Sequence, residues 1–338
     1  MSAPRGSDLS RSTTVPRSLV HRAAVCEVFL TDSARTSERE VLVAAQLPRV
    51  HSYYSDHTAT PAHYDPLLLL EAFRQTSILV AHEHLGAPLD SKFSFNSGDL
   101  SVTDPEALHV GPVPASATVR AEVVAEKHRK GVLTGITIDM YMSLDGRAAA
   151  SMRMVIQWMP PAAWDGLRAR NRAALALEPV RAHGTGRRLP PAAVGRHSPQ
   201  NVVLADAVAL GHEVVGQVVV DQSHPALFDH PLDHIPGAVF FEAYRQTALY
   251  AAHELLGLSP RCLMPTRVEA VFSRFGEFEL PTDCRAVLVD PPGPDRVAFE
   301  LTALQEENEI ATARVVLGRT GPLGGLLTPS APLVEELS

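Results

Sequence analysis

The chain has 338 residues, a formal net charge of −8 and 45% hydrophobic residues. This length predicts two domains or one large duplicated unit, and the apolar fraction is sufficient for a buried core. The acidic balance argues against a general nucleic-acid-binding protein, because such proteins are ordinarily basic.

Three cysteines are widely spaced and form no Cys-x-x-Cys pair, which argues against a disulfide framework or a zinc site. We therefore predict a reducing, cytoplasmic location, and we predict neither a metal nor a cofactor. The first residues lack the apolar core of a signal peptide. The sequence also lacks any apolar run of about 18 residues, so no membrane span is predicted.

Residues 1–18 are predicted to form a flexible leader, and residues 19–160 a first structural unit. In that unit, strand-like segments at 22–30 and 37–47 and a His-rich loop precede a long apolar helix. We expect the helix to begin at Pro66 and to end at Gly86. Asp65 can cap its start, proline suits the first turn, and glycine favours the C-terminal stop. Further strand patterns complete the unit.

Residues 161–198 are rich in proline and arginine and are predicted to be a linker, with room for one short helix at 162–178. Residues 199–320 repeat the order of the first unit: strands, a His-rich loop, a helix and further strands. The second helix is expected to run from Pro236 to Gly257. Residues 321–338 are predicted to be a loose tail.

The two predicted helices repeat each other in sequence. Residues 71–86 read EAFRQTSILVAHEHLG, residues 242–257 read EAYRQTALYAAHELLG, and ten of the sixteen positions are identical. Unrelated segments would share about one position, so the chain contains an internal duplication. Each copy places an acid, a cation and an amide in an apolar helix: Glu71, Arg74 and Gln75, and Glu242, Arg245 and Gln246.

A long helix that is apolar nearly all round is typical of a helix buried against a curved sheet. One such helix wrapped by an antiparallel sheet is the hotdog arrangement. The duplicated pattern therefore predicts an α+β double hotdog, in which two repeats form a pseudo-dimer within one chain.

An HxxxxDH motif precedes each helix. Its last histidine is His57 before Glu71 and His230 before Glu242, and the second interval is the shorter one. Histidine can transfer a proton near neutral pH, and a carboxylate near a helix start can act as a base or orient a substrate. Backbone N–H groups at the helix start can stabilise a thioester carbonyl as it becomes an oxyanion. These groups together favour acyl-thioester chemistry, with His57, His230 and the two glutamates as catalytic candidates.

The segment FDHPLDHIPGAVFFEAYRQ resembles the signature of the β-hydroxyacyl-thioester dehydratases. That signature has a histidine in a Pro/Gly-rich loop, a Pro-Gly helix start, and then an acid and a glutamine. In the dehydratase dimers, the histidine and the acid of one site come from different subunits. The resemblance therefore implies that His57 faces Glu242 and that His230 faces Glu71.

Arg74 and Arg245 depart from the dehydratases, which carry a small residue there. With Glu-x-x-Arg-Gln in both helices, the chain resembles the A-factor biosynthesis (AfsA) family over roughly residues 20–320. These are γ-butyrolactone synthases with duplicated hotdog domains. The resemblance implies transfer of a β-ketoacyl group from an acyl-carrier-protein thioester to a hydroxyl of dihydroxyacetone phosphate, with both as partners.

A phosphorylated acceptor explains the arginines, because a guanidinium group can bind phosphate through two parallel hydrogen bonds. The sequence has no Gly-rich phosphate loop, so side chains must bind the phosphate. The candidate cations are Arg74, Arg245, Lys92 and Arg267. Gln75 and Gln246 are expected to orient the acids, to contact the acyl carbonyl, or to bond the sheet.

Several alternatives stay open at this point. The Glu–Arg pairs have the i, i+3 spacing of an ordinary intrahelical ion pair. A hotdog dehydratase or thioesterase is the second hypothesis, and a non-catalytic lipid or lactone receptor is the third. The unequal histidine-to-glutamate spacings predict that the two sites do different work, without indicating which is active. The sequence also leaves open whether the pseudo-dimer pairs further into a homodimer.

Overall fold

The computed structural model describes residues 5–175, 177, 186–289, 293 and 295–320. Within these residues, twelve strands form one antiparallel sheet, and three α-helices are present. The helices are α1 Pro66–Leu79, α2 Pro161–Ala173 and α3 Gly237–Leu256. The strands are β1 Leu30–Arg35, β2 Glu40–Leu47, β3 Lys92–Val102, β4 Ala115–Arg129, β5 Val132–Leu144, β6 Arg147–Met159, β7 Leu204–Leu210, β8 Glu213–Val218, β9 Leu263–Phe272, β10 Asp283–Val289, β11 Arg296–Gln305 and β12 Asn308–Arg319.

The sheet has the order β1-β2-β4-β5-β6-β3-β9-β12-β11-β10-β8-β7, so each half of the sheet reads the same from its outer edge inward. The halves join where β3 pairs with β9, with Gly98 opposite Ala270 and Leu100 opposite Val268. Each half holds six strands and one long helix, α1 or α3. This is the predicted double hotdog, with a pseudo-two-fold axis at the β3–β9 pair.

Both long helices begin and end where the sequence predicts. Asp65 accepts a hydrogen bond from the backbone N–H of Leu67 at 2.9 Å, and proline occupies the first turn of α1. α1 continues into a π-helical turn at Val80–His84 and stops before Gly86, whose φ is +74°. α3 ends at Gly257 with φ +65°. Glycine tolerates this left-handed backbone because it has no Cβ.

Both helices lie in the core of the molecule. Every residue of α1 except Arg74 is buried, and most of α3 is buried too. A buried polar group needs a hydrogen-bond partner, so the charged residues of these helices must find partners inside the protein. Within the residues that the structure describes, no helix combines the length and apolarity needed to cross a bilayer.

The N-terminal segment differs from the predicted flexible leader. Residues 1–4 lie outside the described residues, but the rest of the segment packs on the first repeat. Leu9 is buried, and the N–H of Val15 donates to the carbonyl of Leu30 at 3.0 Å. The apolar residues in this segment give it a surface to bury, which the prediction of a loose leader overlooked.

The strand predicted at 22–30 is replaced by a short 3-10 turn, Val25–Glu27, and β1 begins only at Leu30. The side chain of Gln75 explains the difference. Its Nε2 donates to the carbonyl of Glu27 at 2.7 Å, and its Oε1 accepts from the N–H of Phe29 at 3.0 Å. These backbone groups therefore bond a helix side chain in place of a neighbouring strand.

Part of the predicted linker at 161–198 is folded against the second repeat. It contains α2, in which Trp164 donates to Asp233 at 3.0 Å and Arg168 forms a buried ion pair with Glu277 at 2.6 Å. Residues 178–185 of this segment, and the tail predicted at 321–338, lie outside the described residues.

Candidate active site

Two equivalent polar clusters lie where the repeats meet. The Glu71 cluster contains Glu71, Arg74, Gln75, Arg22 and His230. The Glu242 cluster contains Glu242, Arg245, Gln246, Arg196 and His57. Each cluster joins a helix of one repeat to a histidine of the other. The repeats are paired in the crossed sense that the dehydratase resemblance implies, but each histidine lies near the arginines of its cluster, and among the described residues neither histidine bonds the glutamate.

Glu71 is a buried carboxylate enclosed by cations. Its Oε1 accepts from Arg22 at 3.0 Å, from Arg74 at 2.9 Å and from Gln75 at 2.7 Å. Its Oε2 accepts from Arg74 at 2.8 Å. Burial alone would raise the pKa of Glu71, but the two arginines outweigh burial and lower it to about 2.

Glu242 is 0% exposed and is enclosed more completely. It accepts from Arg196 at 3.0 and 2.8 Å, from Arg245 at 2.5 Å and from the Tyr53 hydroxyl at 2.7 Å, and it also bonds Gln246. Burial opposes ionisation here too, but the arginines lower the pKa of Glu242 to about 2. Arg196 in turn donates to the Tyr53 carbonyl at 2.6 Å and stacks over its ring.

Both glutamates are therefore ionised at neutral pH and committed to hydrogen bonds. A general base needs an available lone pair and a pKa near the working pH. Of the two roles expected from the sequence, base or orienter, the geometry of Glu71 and Glu242 favours the orienter. Each glutamate holds two guanidinium groups in place.

The same carboxylates predict a loss of stability in acid. The folded-state pKa of Glu71 and Glu242 lies below the ordinary value of 4.5, so their stabilisation is fully present above that value and is lost as pH falls towards 2. We expect the urea midpoint to fall steadily from about pH 5 to about pH 3. Added salt should change the profile little, since buried pairs are weakly screened. A flat midpoint over this range would contradict the ionisation described here.

Arg22 and Arg196 were missed by the sequence analysis. Arg22 lies in the segment predicted as a strand, and Arg196 in the predicted linker, where no helix or strand periodicity draws attention to them. A signal was present nonetheless. The tripeptides Val20-His21-Arg22 and Val194-Gly195-Arg196 are separated by nearly the same length of chain as the two repeated helices.

The aspartates of the two HxxxxDH motifs hold these arginine-bearing segments across the repeats. Asp229 accepts from the backbone N–H groups of Ala23 and Ala24 at 2.5 and 2.9 Å. Asp56 accepts from the N–H of Ser198 at 3.1 Å. Asp229 of the second repeat therefore positions Arg22 in the Glu71 cluster, and Asp56 of the first repeat positions Arg196 in the Glu242 cluster.

The two helix arginines have different surroundings. Arg245 is 3% exposed and lies between Glu242, at 2.5 Å, and Asp65, at 3.7 Å. Arg74 is 26% exposed, and within the described part of the chain it contacts one carboxylate, while its Nη1 has no hydrogen-bond partner there. The difference follows from sequence, because Pro236 occupies the position equivalent to Asp65.

The histidines also differ. His57 stacks on His63 with ring centroids 4.3 Å apart and donates to the His63 carbonyl at 2.8 Å. It lines a cleft of about 260 Å³, open solvent included, together with Asp65. His230 is 40% exposed, and its Nδ1 lies 3.6 Å from Asp229. Burial lowers the pKa of both His57 and His230, so both are neutral near pH 7.

The other two predicted phosphate ligands, Lys92 and Arg267, lie in different surroundings. Lys92 is exposed at the start of β3 and near the Glu71 cluster: burial is the main cause of the low pKa of the neighbouring His21, and the charge of Lys92 adds to it. Arg267 is 47% exposed on β9 and pairs with Asp99 at 2.9 Å and with Glu269. The structure corrects the prediction for Arg267: side chains alternate across a strand, and this one points to the solvent side of the sheet.

Among the residues that the structure describes, no group of three or more histidine, cysteine or acidic side chains has the arrangement of a metal site.

The fold is a double hotdog, and two polar clusters lie at the interface between its repeats. The model of the A-factor biosynthesis hotdog domain matches residues 5–160 and 177–318, and the chain belongs to this family. A relative from Streptomyces virginiae is 35% identical over 271 residues, covering 80% of this chain and 86% of the relative. One from Streptomyces coelicolor (strain ATCC BAA-471 / A3(2) / M145) is 30% identical over 323 residues, covering 94% and 91%. Both are named 2-oxo-3-(phosphooxy)propyl 3-oxoalkanoate synthase.

A solved structure supports the fold alone. A protein from Lactobacillus plantarum assigned as an oleoyl thioesterase superposes with a TM-score of 0.52 at 12% identity, covering 83% of this chain and 97% of that protein.

Proposed function

We propose that this chain is an acyltransferase that condenses a 3-oxoacyl thioester with dihydroxyacetone phosphate, and so makes the ester for which its relatives are named. The ester would serve the biosynthesis of a γ-butyrolactone-type signal. The donor arrives on an acyl carrier protein in the cytoplasm. The observation that carries the proposal is Arg74, a guanidinium group fixed by Glu71 and the Val20 carbonyl, whose Nη1 has no partner among the described residues and is available to a phosphate.

We assign the reaction to the Glu71 cluster. Arg245 of the other cluster is already neutralised by Glu242 and Asp65, and this leaves little net attraction for a phosphate. The starts of α1 and α3 also differ, and this difference is a second reason to favour the Glu71 cluster. Asp65 caps α1 by accepting from Leu67, whereas α3 begins after Pro236 without a side-chain cap. The N–H of Val239 donates to the Pro236 carbonyl, but those of Gly237 and Ala238 have no partner among the described residues and are available to stabilise an oxyanion.

The roles follow from these positions. Glu71 orients Arg22 and Arg74, and Arg74 binds the phosphate with help from Lys92 at the edge of the cluster. His230 is neutral and accepts the proton of the acceptor hydroxyl. The hydroxyl oxygen bonds to the thioester carbonyl carbon, the carbon–sulfur bond breaks, and the proton passes to the leaving thiolate.

The dehydratase alternative fits the geometry less well. Dehydration needs a carboxyl group that can exchange a proton with the substrate. Glu71 and Glu242 are ionised and hydrogen-bonded to arginines, so neither is suited to that task. Gln75 and Gln246 join the glutamates to backbone groups of the segment before each first strand, so they are positioning residues.

A matched pair of variants tests the assignment. Arg74→Gln is expected to raise KM for dihydroxyacetone phosphate about 10- to 100-fold, because a charge-assisted contact is lost. Turnover of unphosphorylated dihydroxyacetone should change little. Arg245→Gln should leave KM near that of the wild type but lower the melting temperature, since Glu242 and Asp65 lose a buried partner. An unchanged KM for Arg74→Gln would rule out the phosphate role.

A further inference from the structure

His21 has a left-handed backbone conformation, with φ +51°. The equivalent position in the second repeat is Gly195, with φ +73°. Both positions precede the cluster arginines Arg22 and Arg196, so the turn itself requires a positive φ. Glycine adopts this conformation without strain, whereas histidine does so only at a cost. Histidine at position 21 therefore has a conformational cost that glycine at position 195 does not have.

The side chain of His21 belongs to a short hydrogen-bonded chain. Its Nε2 lies 2.8 Å from Nε2 of His82, and Nδ1 of His82 lies 2.9 Å from the carbonyl of Ala87. A carbonyl only accepts, so His82 carries its proton on Nδ1 and accepts on Nε2. His21 must then donate through Nε2, which leaves a lone pair on its Nδ1. Phe93 packs against both rings.

The surroundings of His21 are electropositive. Burial lowers the pKa of His21 to about 3, and His82, Arg74, His230 and Lys92 lower it in the same direction. The ring is therefore neutral at pH 7. Arg74 on α1 and Lys92 on β3 carry the positive charge near His21, so positive potential reaches the ring from two elements.

We propose that His21 is a ligand of the acceptor's phosphate, and that its Nδ1 takes up one solvent proton when the phosphate dianion binds between His21, Arg74 and Lys92. Burial is the main cause of the low pKa of His21, and a dianion beside the ring opposes it by offsetting the charges of Arg74 and Lys92 and attracting the protonated imidazole. The protonated Nδ1–H then donates to a phosphate oxygen, and the strained backbone at His21 places it there. The inference rests on the proposed function, because it names a ligand for the same acceptor.

His21→Gly tests the proposal with little risk to the fold, because glycine suits the backbone and is the residue found at Gly195. Titration calorimetry with dihydroxyacetone phosphate, in two buffers of different ionisation enthalpy, should show proton uptake for the wild type. The variant should show much less uptake and roughly 10- to 100-fold weaker binding. Relief of the backbone strain should offset part of the lost hydrogen bond to His82, so its melting temperature should fall only slightly. Arg267→Ala, on the solvent side of the sheet, should match the wild type throughout.

The possible outcomes distinguish the role proposed for His21 from the proposed acyltransferase function. Wild-type affinity and proton uptake in the His21→Gly variant would overturn the role of His21, while ester formation by the wild type would leave the proposed function intact. Absence of both binding and ester formation in the wild type would overturn both. If His21→Gly lowers the melting temperature strongly, His21→Asn provides the second measurement, because asparagine also tolerates a left-handed backbone. A His21→Asn variant with wild-type affinity would again overturn the role.

Discussion

Arg196→Ala is expected to lower the free energy of unfolding by about 3–5 kcal/mol, the usual cost of removing one partner from a buried ion pair. Arg196 is fully buried and donates to both oxygens of Glu242 and to the Tyr53 carbonyl. Its loss leaves Glu242 ionised in the core with Arg245 as its remaining cation. The urea midpoint reports the change, provided that the slope of the transition is unchanged.

Arg267→Ala is the control for this measurement. Arg267 also pairs with two carboxylates, but it is exposed, so its removal should change the free energy of unfolding by less than about 1 kcal/mol. Arg196→Lys should not restore stability, because an ammonium group cannot reproduce the paired contact with Glu242. An Arg196→Ala variant as stable as the control would contradict the view that this cluster supports the fold.

His230→Asn is expected to lower kcat about 10²- to 10⁴-fold, the range typical of a lost general base. His230 lies beside the Glu71 cluster and is partly exposed, so it can meet the acceptor hydroxyl. KM for dihydroxyacetone phosphate should change much less, because the phosphate contacts stay in place. Steady-state kinetics with a 3-oxoacyl thioester separates the two effects.

His57→Asn is the matched variant, since His57 occupies the equivalent place in the other cluster. We expect it to retain kcat within a small factor of the wild type, because Arg245 beside it is bound by Glu242 and Asp65. A larger loss of kcat for His57→Asn than for His230→Asn would place the reaction in the Glu242 cluster instead.

The fold could be predicted largely from the duplicated helices. Asp65, Pro66, Gly86 and Gly257 mark helix ends through local backbone chemistry, and the structure confirms them. The double hotdog follows because two nearly apolar helices each need a sheet to cover them. The strand predicted at 22–30 was wrong because a tertiary contact, from Gln75 to the backbone, overrides the local pattern.

The site could be predicted only in part. Glu71 and Arg74 were visible because charged residues are unusual in a buried helix. Arg22 and Arg196 lie in irregular segments, and their approach to the glutamates depends on the folded path of the chain. Arg267 has the chemistry of a phosphate ligand, but its strand position turns it to solvent.

The cause of the difference between the clusters is present in the sequence, but its effect is visible only in the structure. Asp65 and Pro236 look like two ordinary helix starts. Only the folded chain shows that Asp65 approaches Arg245 of the opposite helix, whereas the equivalent residue Pro236 carries no charge with which an arginine could pair. One duplicated set of residues thus yields one enclosed cluster and one open cluster.

The most direct test of the account is to incubate the pure protein with a 3-oxoacyl thioester and dihydroxyacetone phosphate and to follow products by mass spectrometry. We predict a phosphorylated ester, or the butenolide formed from it, that requires both substrates and falls sharply in Arg74→Gln. Loss of thioester at the same rate without the phosphate compound would indicate a thioesterase. Conversion of a β-hydroxyacyl thioester to the enoyl form, with no phosphorylated ester, would contradict the account and support a dehydratase.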